Sequence, residues 1–492
     1  MLGLVRSIKN SSAVINKIPP VVLSLIPEYW VGQEMDENLI KLTHVCHGWR
    51  ELFTSRPSLW TRLDFKSVDK TKVYIERSKP SPLEIYLKLT HNTLRREEAL
   101  VLAIPHIARL GVLSVNGNPS QVFPALVKHF SSPVPSLRIL NINIAHNPPP
   151  LLPENLFNGH LSSLRELSLG GVITGLPWRG MLNLTTFNFR RVPGDSILMT
   201  QLLDFLESAP HLRYVKLHNS IPNPHGPLAE KVVSLPRLKE LSIITEQPRS
   251  VLLGHISIPV DALLRLEFIF SGLESPIPSY LPNPTSNLRN LSHTTAMNLC
   301  FGSGQRSLRL NGPSGELYML GNWKRGGSKP YSGTGRFLYS LDRFDVSKTR
   351  WLAITSCDYR PGSLLPMEMW CLYKVLRPME DLRTLTLARC NNLNFISILN
   401  PDKTPSNIVV CPKLGEIVLY IERLGQLHIE ELLSMTEERA SRGVKLPAIT
   451  IVSAGALAPT KEVFQLRKHV SRVECKFDDA PPAWDALPAT WA

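Results

Sequence analysis

The chain has no run of about twenty apolar residues that is free of charged residues and prolines, so we expect no membrane-spanning helix. The first residues also lack a sustained apolar core followed by a small-residue cleavage site, so we expect no secretory signal. Without secretion, the sequon-like Asn183-Leu-Thr185 carries no information. The sequence therefore predicts a cytoplasmic or nuclear protein without a membrane partner.

Cysteine is scarce and scattered, with seven residues, an odd number, and no Cys-x-x-Cys pair. Closely spaced, even-numbered cysteines are typical of disulfide frameworks, and paired cysteines are typical of zinc sites. Because neither pattern is present, we expect reduced and mostly buried thiols rather than disulfides or a zinc site.

The motifs of common active sites are also missing. The stretch Gly302-Ser-Gly-Gln-Arg-Ser307 lacks the third glycine and the Lys-Ser ending of a nucleotide-binding loop, so we interpret it as a flexible loop. No serine lies in a Gly-x-Ser-x-Gly elbow, and Cys46 lies in an apolar stripe where a thiol is inert. His44 and His47 have a spacing that can bind a metal, but no second ligand pair follows, which favours solvated or partner-facing histidines. We therefore expect no catalytic residue, no metal and no cofactor.

Charge of one sign is in moderate excess. The 55 basic and 41 acidic residues give a formal net charge of +14, which favours acidic partners electrostatically. Recognition of a nucleic acid needs a contiguous basic stripe with stacking aromatics or a known binding module, and the sequence has neither. A scattered basic surface, with no nucleic-acid partner, is the favoured interpretation.

A repeated pattern, Leu-x-x-Leu-x-Leu with Ile, Val or Phe allowed, is what the chain does contain. A length of 492 residues predicts more than one unit unless one unit repeats. The first seven copies start between 20 and 28 residues apart, which agrees with the spacing of about 20 to 29 residues in leucine-rich repeats. The nine copies are Leu110/Leu113/Val115, Leu137/Leu140/Ile142, Leu164/Leu167/Leu169, Leu184/Phe187/Phe189, Leu212/Val215/Leu217, Leu238/Leu241/Ile243, Leu263/Leu266/Phe268, Leu382/Leu385/Leu387 and Leu414/Ile417/Leu419.

Each copy predicts a short strand, because its last two apolar residues are two apart and point to one side. Helices are predicted at 199–208 and at 429–442, where Gly443 ends the helix. Further strands are predicted at 351–355 and 448–452. Within the glycine-rich stretch 301–336, otherwise a loop, we expect a hairpin that pairs 307–310 with 316–320, and we expect the tail after about 478 to be frayed.

The N-terminal segment predicts short helices with an apolar surface. Apolar residues recur at steps of three and four from Leu39 to Phe53, which predicts one helix with a wide apolar stripe. Pro19 and Pro20 open an earlier short helix, which Pro27 ends or bends. Fewer than fifty residues form a very small core, so we expect a partner to cover part of this surface.

Three ordered motifs in this segment resemble an F-box. They are the opening Ile18-Pro-Pro20, the box Val45-Cys-His-Gly-Trp-Arg50 and the stretch Pro57-Ser-Leu-Trp60. The resemblance is closest to F-box proteins of mushroom-forming fungi, in which the box continues into segments similar to Tyr74–Ser78 and Pro82–Leu87. The repeats behind it are similar to irregular leucine-rich repeats.

The chain departs from the F-box pattern in the first helix. That family usually carries a leucine and a glutamate where this chain has Ile18 and Val21-Val22, and Pro27 falls inside the expected helix. The resemblance assigns contacts with a linker protein to Ile18, Pro19, Leu23, Ile26, Leu42, Val45, Trp49, Leu59 and Trp60.

The resemblance implies an α/β chain in which a small helical F-box precedes an irregular leucine-rich-repeat solenoid, a curved parallel sheet with helices. Members of this family dock on a Skp-type linker protein, which joins them to a cullin, and bind a protein substrate through their repeats. The implied function is a substrate-recognition adaptor of a Skp-cullin-F-box ubiquitin ligase; the alternative is a non-ligase scaffold for protein–protein interaction. The implied domains are an extension at 1–17, the F-box at 18–65, a connecting segment at 66–100, the solenoid at 101–455 with the insertion 301–336, and a tail at 456–492.

On the concave sheet of the predicted solenoid, residues that alternate with the buried leucines are expected to face the cavity rather than the core. Tyr214, Lys216, Arg265 and Glu267 are candidate substrate-binding residues, since aromatic and arginine side chains are effective interface anchors. The alternative is that they only solvate the strand face. The outward positions of the clearest repeats are Glu166, Ser168, Thr186, Asn188, Tyr214, Lys216, Glu240, Ser242, Arg265, Glu267, Thr384, Thr386, Glu416 and Tyr420.

Overall fold

The chain is a mixed α/β protein that divides into two compact units, Met1–His211 and Leu212–Ala492. The computed structural model describes residues 13–477 apart from 24, 30–34, 90–93, 119, 121–123, 125, 127, 145, 147, 154–155, 160, 175–179, 193–196, 223–230, 247–250, 271–280, 283–286, 292–293, 302–304, 313–314, 324–343, 357–372, 389–391, 405–406, 422–425 and 454–460. Within the described residues, 11 α-helices and 19 β-strands have defined bounds.

The first unit begins with short helices, as the sequence predicted, but the expected single helix from Leu39 to Phe53 is wrong. The chain leaves the helical conformation before Cys46, which is extended with φ −157° and ψ 173°, and a new helix starts at His47. Pro27 is the second residue of a helix of its own, where a missing N–H costs no hydrogen bond. The helices are α1 (Pro20–Leu23), α2 (Ile26–Tyr29), α3 (Met35–Thr43) and α4 (His47–Thr54), between 3₁₀ turns at Val14–Lys17 and Pro57–Trp60.

A parallel sheet follows in the first unit, and each strand pairs with the next strand along the chain. The sheet extends beyond the range 101–455 assigned to the repeats, because its first two strands precede residue 101. Its elements are β1 (Arg62–Leu63), α5 (Val68–Ser78), β2 (Leu83–Leu89), α6 (Leu94–Ala103), β3 (Leu110–Gly117), β4 (Ile139–Ile144), β5 (Glu166–Gly170), β6 (Thr186–Arg190) and α7 (Met199–Glu207), with 3₁₀ turns at Ile104–Arg109 and Leu156–Gly159.

The leucine pattern sets the register of this sheet. Leu113, Leu140, Leu167 and Phe187 pair across neighbouring strands at one level and are fully buried. The predicted helix at 199–208 is confirmed as α7, and its Phe205 ring lies 4.7 Å from the ring of Phe187. The repeat phase predicted from the sequence is therefore confirmed for β3 to β6.

The second unit also contains a parallel-dominated sheet, in the order β7-β9-β11-β14-β13-β12-β15-β16-β17-β18-β19. Strands β8 and β10 form a separate pair. The elements are β7 (Tyr214–His218), β8 (Val233–Ser234), β9 (Glu240–Thr245), α8 (Val251–Gly254), β10 (Ile256–Ser257), β11 (Leu263–Phe270), β12 (Ala296–Phe301), β13 (Gln305–Asn311), β14 (Glu316–Trp323), β15 (Trp351–Ser356), β16 (Thr384–Ala388), α9 (Asn392–Leu399), β17 (Glu416–Ile421), α10 (Gln426–Ser441), β18 (Ala448–Ser453), α11 (Lys461–Leu466) and β19 (Arg472–Phe477), with 3₁₀ turns at Arg289–Leu291 and Pro401–Lys403.

Strand β13 runs antiparallel to both of its neighbours. The predicted hairpin within 301–336 is confirmed as β13 and β14, but both strands belong to the sheet rather than to a loop. The remainder of the predicted loop, 324–336, lies outside the described residues, as does the tail after 477. Strand β12 was not predicted, and it separates the hairpin from β15.

One repeat was predicted in the wrong phase. Leu264 rather than Leu266 pairs with Leu241, so the copy that starts at Leu263 is displaced by two residues. Leu264, Leu266 and Phe268 are buried, whereas Leu263 is only half-buried. Because a strand repeats every two residues, this displacement keeps each side chain on its predicted face.

The later predictions are confirmed by β15, α10 and β18. Gly443 follows α10 with φ +77°, which is the left-handed conformation that favours glycine at a helix end. Residues of the predicted tail form α11 and β19, and β19 pairs with β18. The parallel sheet therefore continues past residue 455.

Arg439 of α10 is fully buried and binds main-chain carbonyl groups. Its guanidinium donates to the carbonyl oxygens of Val410 and Cys411, both at 2.8 Å, and to that of Leu399 at 3.5 Å. Burial lowers the pKa of this guanidinium and raises the pKa of the Cys411 thiol to about 12. Arg439 thus joins α10 to the turn that precedes β17.

Candidate protein-binding surfaces

Trp49 and Phe53 anchor the N-terminal helices to their own chain. Their rings meet edge to face with centroids 5.6 Å apart, and both side chains are buried. The Trp49 indole N–H donates to Oδ1 of Asn16 at 2.6 Å. A buried indole needs such an acceptor, so Trp49 stabilises the packing of α4 against the preceding segment.

Trp60 joins the helices to the start of the sheet. Its indole N–H donates to the main-chain oxygen of Phe53 at 2.9 Å, and its ring meets the Tyr74 ring edge to face at 4.9 Å. The guanidinium of Arg77 lies 4.4 Å from the centre of the same indole. Only 1% of Trp60 is exposed, so a partner could not contact it without a rearrangement.

The nine residues assigned to linker binding differ in exposure. Pro19 and Val45 are exposed, and Ile18 and Ile26 are half-exposed. The other five pack inside the chain's own core: Leu23, Leu42, Trp49, Leu59 and Trp60. Those five side chains support the helices, and any direct contact with a partner in this conformation falls to the first four.

Of the seven large apolar residues that are exposed in this segment, only Val45 was assigned to linker binding from the sequence. Val45, in the turn before α4, is 53% exposed, and Val21, which was not assigned, is 68% exposed. The helical period alone could not identify the other six, because it does not say which side of a short helix faces the core. We call the exposed set the N-terminal apolar surface: Val14, Ile15, Val21, Val22, Leu25, Ile40 and Val45.

The two histidines considered as metal ligands are both exposed. Nδ1 of His47 lies 3.5 Å from Oε2 of Glu51, one helical turn away. Across the described part of the chain, no cluster of three or more histidine, cysteine, aspartate or glutamate side chains could hold a metal ion. No helix in that part is long and apolar enough to cross a membrane.

In the second unit, the candidate residues lie on one face of the sheet. Lys216 and Arg265 occupy the same level, with Ser242 between them, and Glu267 lies on the strand of Arg265 two residues later. Tyr214 and Lys216 are exposed, as is Arg265. Ser242 and Thr386, which were expected to face solvent, are buried; Ser242 is a small side chain between the longer Lys216 and Arg265.

Tyr318 and Arg309 extend this face, and neither was a candidate binding residue from the sequence. Tyr318 of β14 pairs with Arg265 of β11, and Arg309 of β13 pairs with Tyr318. The Arg265 guanidinium lies 5.2 Å from the Tyr318 ring centre. Their alternation with buried residues was visible in the sequence. Their place beside Arg265 was not, because it requires β14 rather than β12 to pair with β11.

The charges on this face form local pairs. Lys216 Nζ lies 3.6 Å from Glu240, and Arg309 Nε lies 2.5 Å from Glu316. Arg265 lies 4.0 Å from Glu267. Burial raises the pKa of Tyr318, so this phenol stays a neutral hydrogen-bonding group at physiological pH. The face therefore offers an aromatic ring and balanced charge rather than a cationic site.

The outer face of the first unit's sheet is richer in amides. Asn116 pairs with Asn143 across β3 and β4, and Asn141 lies between Ser114 and Ser168. Asn188 continues the row of Ser168 on β6. Apart from Ser168 and Asn188, these residues were not singled out from the sequence.

No family model matches the chain, and a search of curated proteins finds no match. The resemblance to F-box and leucine-rich-repeat proteins therefore stays a prediction from the sequence motifs.

Proposed function

We propose that this chain is a substrate-recognition adaptor of a Skp-cullin-F-box ubiquitin ligase. In this proposal the N-terminal helices are an F-box that docks on the Skp-type linker protein, and the sheets belong to irregular leucine-rich repeats that bind a protein substrate. The chain performs no bond chemistry. It raises the effective concentration of the substrate near the ligase by holding both at once.

The N-terminal apolar surface is the observation that carries this proposal. Among the described residues, 18 large apolar side chains are exposed, and seven of them lie between residues 14 and 45. Single exposed apolar residues are ordinary, whereas a concentration of them on short helices is typical of a protein-binding surface. Val21, Val22 and Val45 would supply apolar contact area to the linker, while Trp49 and Trp60 hold the helices in place.

The substrate surface in this proposal is the face that contains Tyr214, Lys216, Arg265 and Glu267. Tyr318 and Arg309 add an aromatic ring and a guanidinium on neighbouring strands. Rings and guanidinium groups contribute strongly to protein interfaces because they bury a large area and lose little conformational freedom.

Linker capture by the full chain tests the proposal. The variant Val21→Asp/Val22→Asp places two charges on the N-terminal apolar surface and substitutes no buried residue. It should reduce capture of a co-expressed Skp-type linker by more than about tenfold. Leu182→Asp is the matched control, since Leu182 is also exposed, 60%, but lies between β5 and β6. Far-ultraviolet circular dichroism checks that both variants are folded.

The outcomes separate the proposal from its alternative. Capture by the wild type and the control, with loss in the double variant, supports docking through these helices. Equal capture by all three chains would contradict it, as would a wild type that captures no linker. A chain that captures the linker but recruits no cullin, tested by adding purified cullin, is the non-ligase scaffold instead.

A further inference from the structure

The outer face of the first unit's sheet presents asparagine amides at adjacent positions of adjacent strands. Asn116 of β3 lies opposite Asn143 of β4, and Asn141 lies two residues before Asn143 on the same side of β4. Asn143 is exposed, and the other two are half-exposed. Neighbouring strands are about 4.8 Å apart, so the amides form a compact group.

Among the described residues, these three amides have no hydrogen-bond partner. Within the part of the chain that the structure describes, the side chains of Asn116, Asn141 and Asn143 make no hydrogen bond or ion pair. Each amide offers an acceptor oxygen and two donor N–H bonds. The three amides therefore offer both hydrogen-bond donors and acceptors to a ligand on this face of the sheet.

Asparagine is a poor choice for these positions on structural grounds alone. It is depleted in strands, whereas threonine and valine are enriched, because β-branched side chains suit the pleated surface. Three asparagines on two neighbouring strands, with no hydrogen bond to any described residue, therefore reduce strand propensity without a compensating contact in that part of the chain. Departures of this kind are expected where a surface has a binding role.

Gly170 leaves room for Asn143. A Cβ atom at position 170 would lie 2.6 Å from Oδ1 of Asn143, so any larger residue would displace that amide. Position 170 pairs directly with Asn143 and with Arg190 on β6. The absence of a side chain thus sets where the Asn143 amide lies.

The charge along this row is positive at both ends. The row runs from Lys88 on β2 through Asn116, Asn143 and Gly170 to Arg190 on β6. Lys88 and Arg190 are exposed. The next row consists of Tyr86, Ser114, Asn141, Ser168 and Asn188 and contains no carboxylate. Glu84 and Glu166 lie one row further from Lys88 and Arg190, where Glu84 accepts a hydrogen bond from the Tyr86 hydroxyl.

We infer that this amide face binds an extended acidic segment of a partner polypeptide. A peptide group carries one N–H donor and one C=O acceptor, which an asparagine amide can satisfy together. Carboxylates of the segment lie near Lys88 and Arg190, where opposite charge attracts them. A nucleic acid is disfavoured, because its binding relies on aromatic platforms and the two described rows contain a single ring, Tyr86.

The length of the face sets the length of the segment. Four strand spacings of about 4.8 Å separate β2 from β6, a distance of about 19 Å. An extended chain advances about 3.3 Å per residue, so about six residues cross the face. This inference does not depend on linker docking, and its test measures a different binding event.

Fluorescence anisotropy with a labelled peptide tests the inference on the full chain. The probe is an alternating Asp-Ser peptide of about ten residues, longer than the face. The variant Asn116→Thr/Asn141→Thr/Asn143→Thr removes three amides without changing the charge, and we expect it to bind at least about tenfold more weakly. Its urea midpoint should not fall, because threonine is favoured in strands.

Two further variants and two further peptides test whether the amides themselves make the contact. Gly170→Ala keeps all three amides but displaces Asn143, so we expect weaker binding by a folded protein. Asn183→Thr is the control, because Asn183 is exposed in the turn before β6 and lies outside the face; its affinity should equal that of the wild type. An alternating Asn-Ser peptide and an ester-backbone version of the probe should both bind more weakly than the probe.

Three results would overturn the inference. The first is a triple variant that binds the probe as tightly as the wild type, since general attraction to a basic protein would then explain binding. The second is equal affinity for the Asn-Ser peptide or for the ester-backbone peptide. The third is a wild type that binds an acidic oligosaccharide or single-stranded DNA more tightly than the probe, or that does not bind the probe.

Discussion

The Trp49 indole donates a hydrogen bond to the Asn16 side chain at 2.6 Å, which joins two residues 33 positions apart. This bond fixes α4 against the segment that precedes α1. Val14 and Ile15 of the N-terminal apolar surface directly precede Asn16, and Val45 lies in the turn before α4, the helix of Trp49, so the positions of these three residues depend on a buried side chain.

Removal of the Trp49 ring should destabilise the N-terminal helices. Trp49→Ala leaves a cavity beside Phe53 and should lower the free energy of unfolding by about 3 kcal/mol or more. Trp49→Phe keeps most of the packing and loses the bond to Asn16, so a loss of about 1 kcal/mol is expected. Urea denaturation of the two variants measures both changes. A folded Trp49→Ala chain that still captures the linker would falsify the predicted role of this residue in docking.

Asp64 should make stability depend on pH. Burial opposes its ionisation, but the hydrogen bond and charge of Lys70, 3.0 Å away, lower its pKa below the usual value. The ionised form therefore stabilises the fold above the unfolded pKa of about 3.9, and this contribution is lost as the pH falls through the folded pKa. Asp64→Asn should cost about 1 to 2 kcal/mol at neutral pH.

The difference between wild type and Asp64→Asn should shrink below about pH 4 and vanish under the folded pKa. Urea titrations at several pH values measure it. Glu76→Gln, at an exposed position of α5, is the matched control for removal of one carboxylate. A constant difference at every pH would show that the carboxylate charge of Asp64 does not stabilise the fold.

Two adjacent glycines should respond differently to alanine. Gly171 has φ +61°, and a Cβ atom there would overlap the carbonyl oxygen of Ile144. Gly171→Ala should therefore destabilise the protein by about 2 kcal/mol or more, because the backbone itself must move. At Gly170 the obstacle is the end of the Asn143 side chain, so Gly170→Ala should be tolerated. Thermal denaturation compares the two, and equal losses would contradict the assigned geometry.

The buried guanidinium of Arg439 should hold the turn before β17 closed. Arg439→Met keeps most of the volume but removes the donor to the Val410 carbonyl and leaves the Cys411 carbonyl with only the Leu414 N–H, at a cost of about 2 kcal/mol. Arg442→Met, directly after α10 and half-exposed, should cost less because solvent screens its ion pairs with Glu438 and Asp402.

Alkylation of Cys411 tests whether the turn before β17 stays closed. Cys411 is buried, and burial raises its pKa to about 12, so the native thiol should resist a maleimide. Exposed Cys475 should react much faster. Mass spectrometry of the labelled peptides should show earlier labelling of Cys411 in Arg439→Met than in the wild type. Unchanged protection would mean that Arg439 does not hold the turn.

Local periodicity predicted most of the strands, because a buried strand needs apolar residues two apart. The copy at Leu140 and Ile142 is an example, since both residues are buried in the predicted register. The same reasoning failed between Leu39 and Phe53, where the apolar spacing continues across a break in the helix. Spacing does not report that Cys46 becomes extended, because tertiary packing sets that conformation.

The candidate surfaces were less predictable than the strands. The alternation of side chains along a strand predicted that Arg265 and Glu267 face away from the core, and the structure agrees. The neighbours of Arg265 depended on the pairing of β11 with β14, which no local pattern reports. The exposed valines at 21 and 22 and the buried Trp60 were likewise decided by which elements pack together rather than by their own sequence.

The reversal at β13 has a topological consequence. Strand β11 runs parallel to β14, and β12 runs parallel to β15, so β13 turns the path back and β14 restores it. Two reversals cancel, so β15 to β19 keep the polarity of β7, β9 and β11. Because the number of reversals is even, the strands on the two sides of β13 run in one parallel direction.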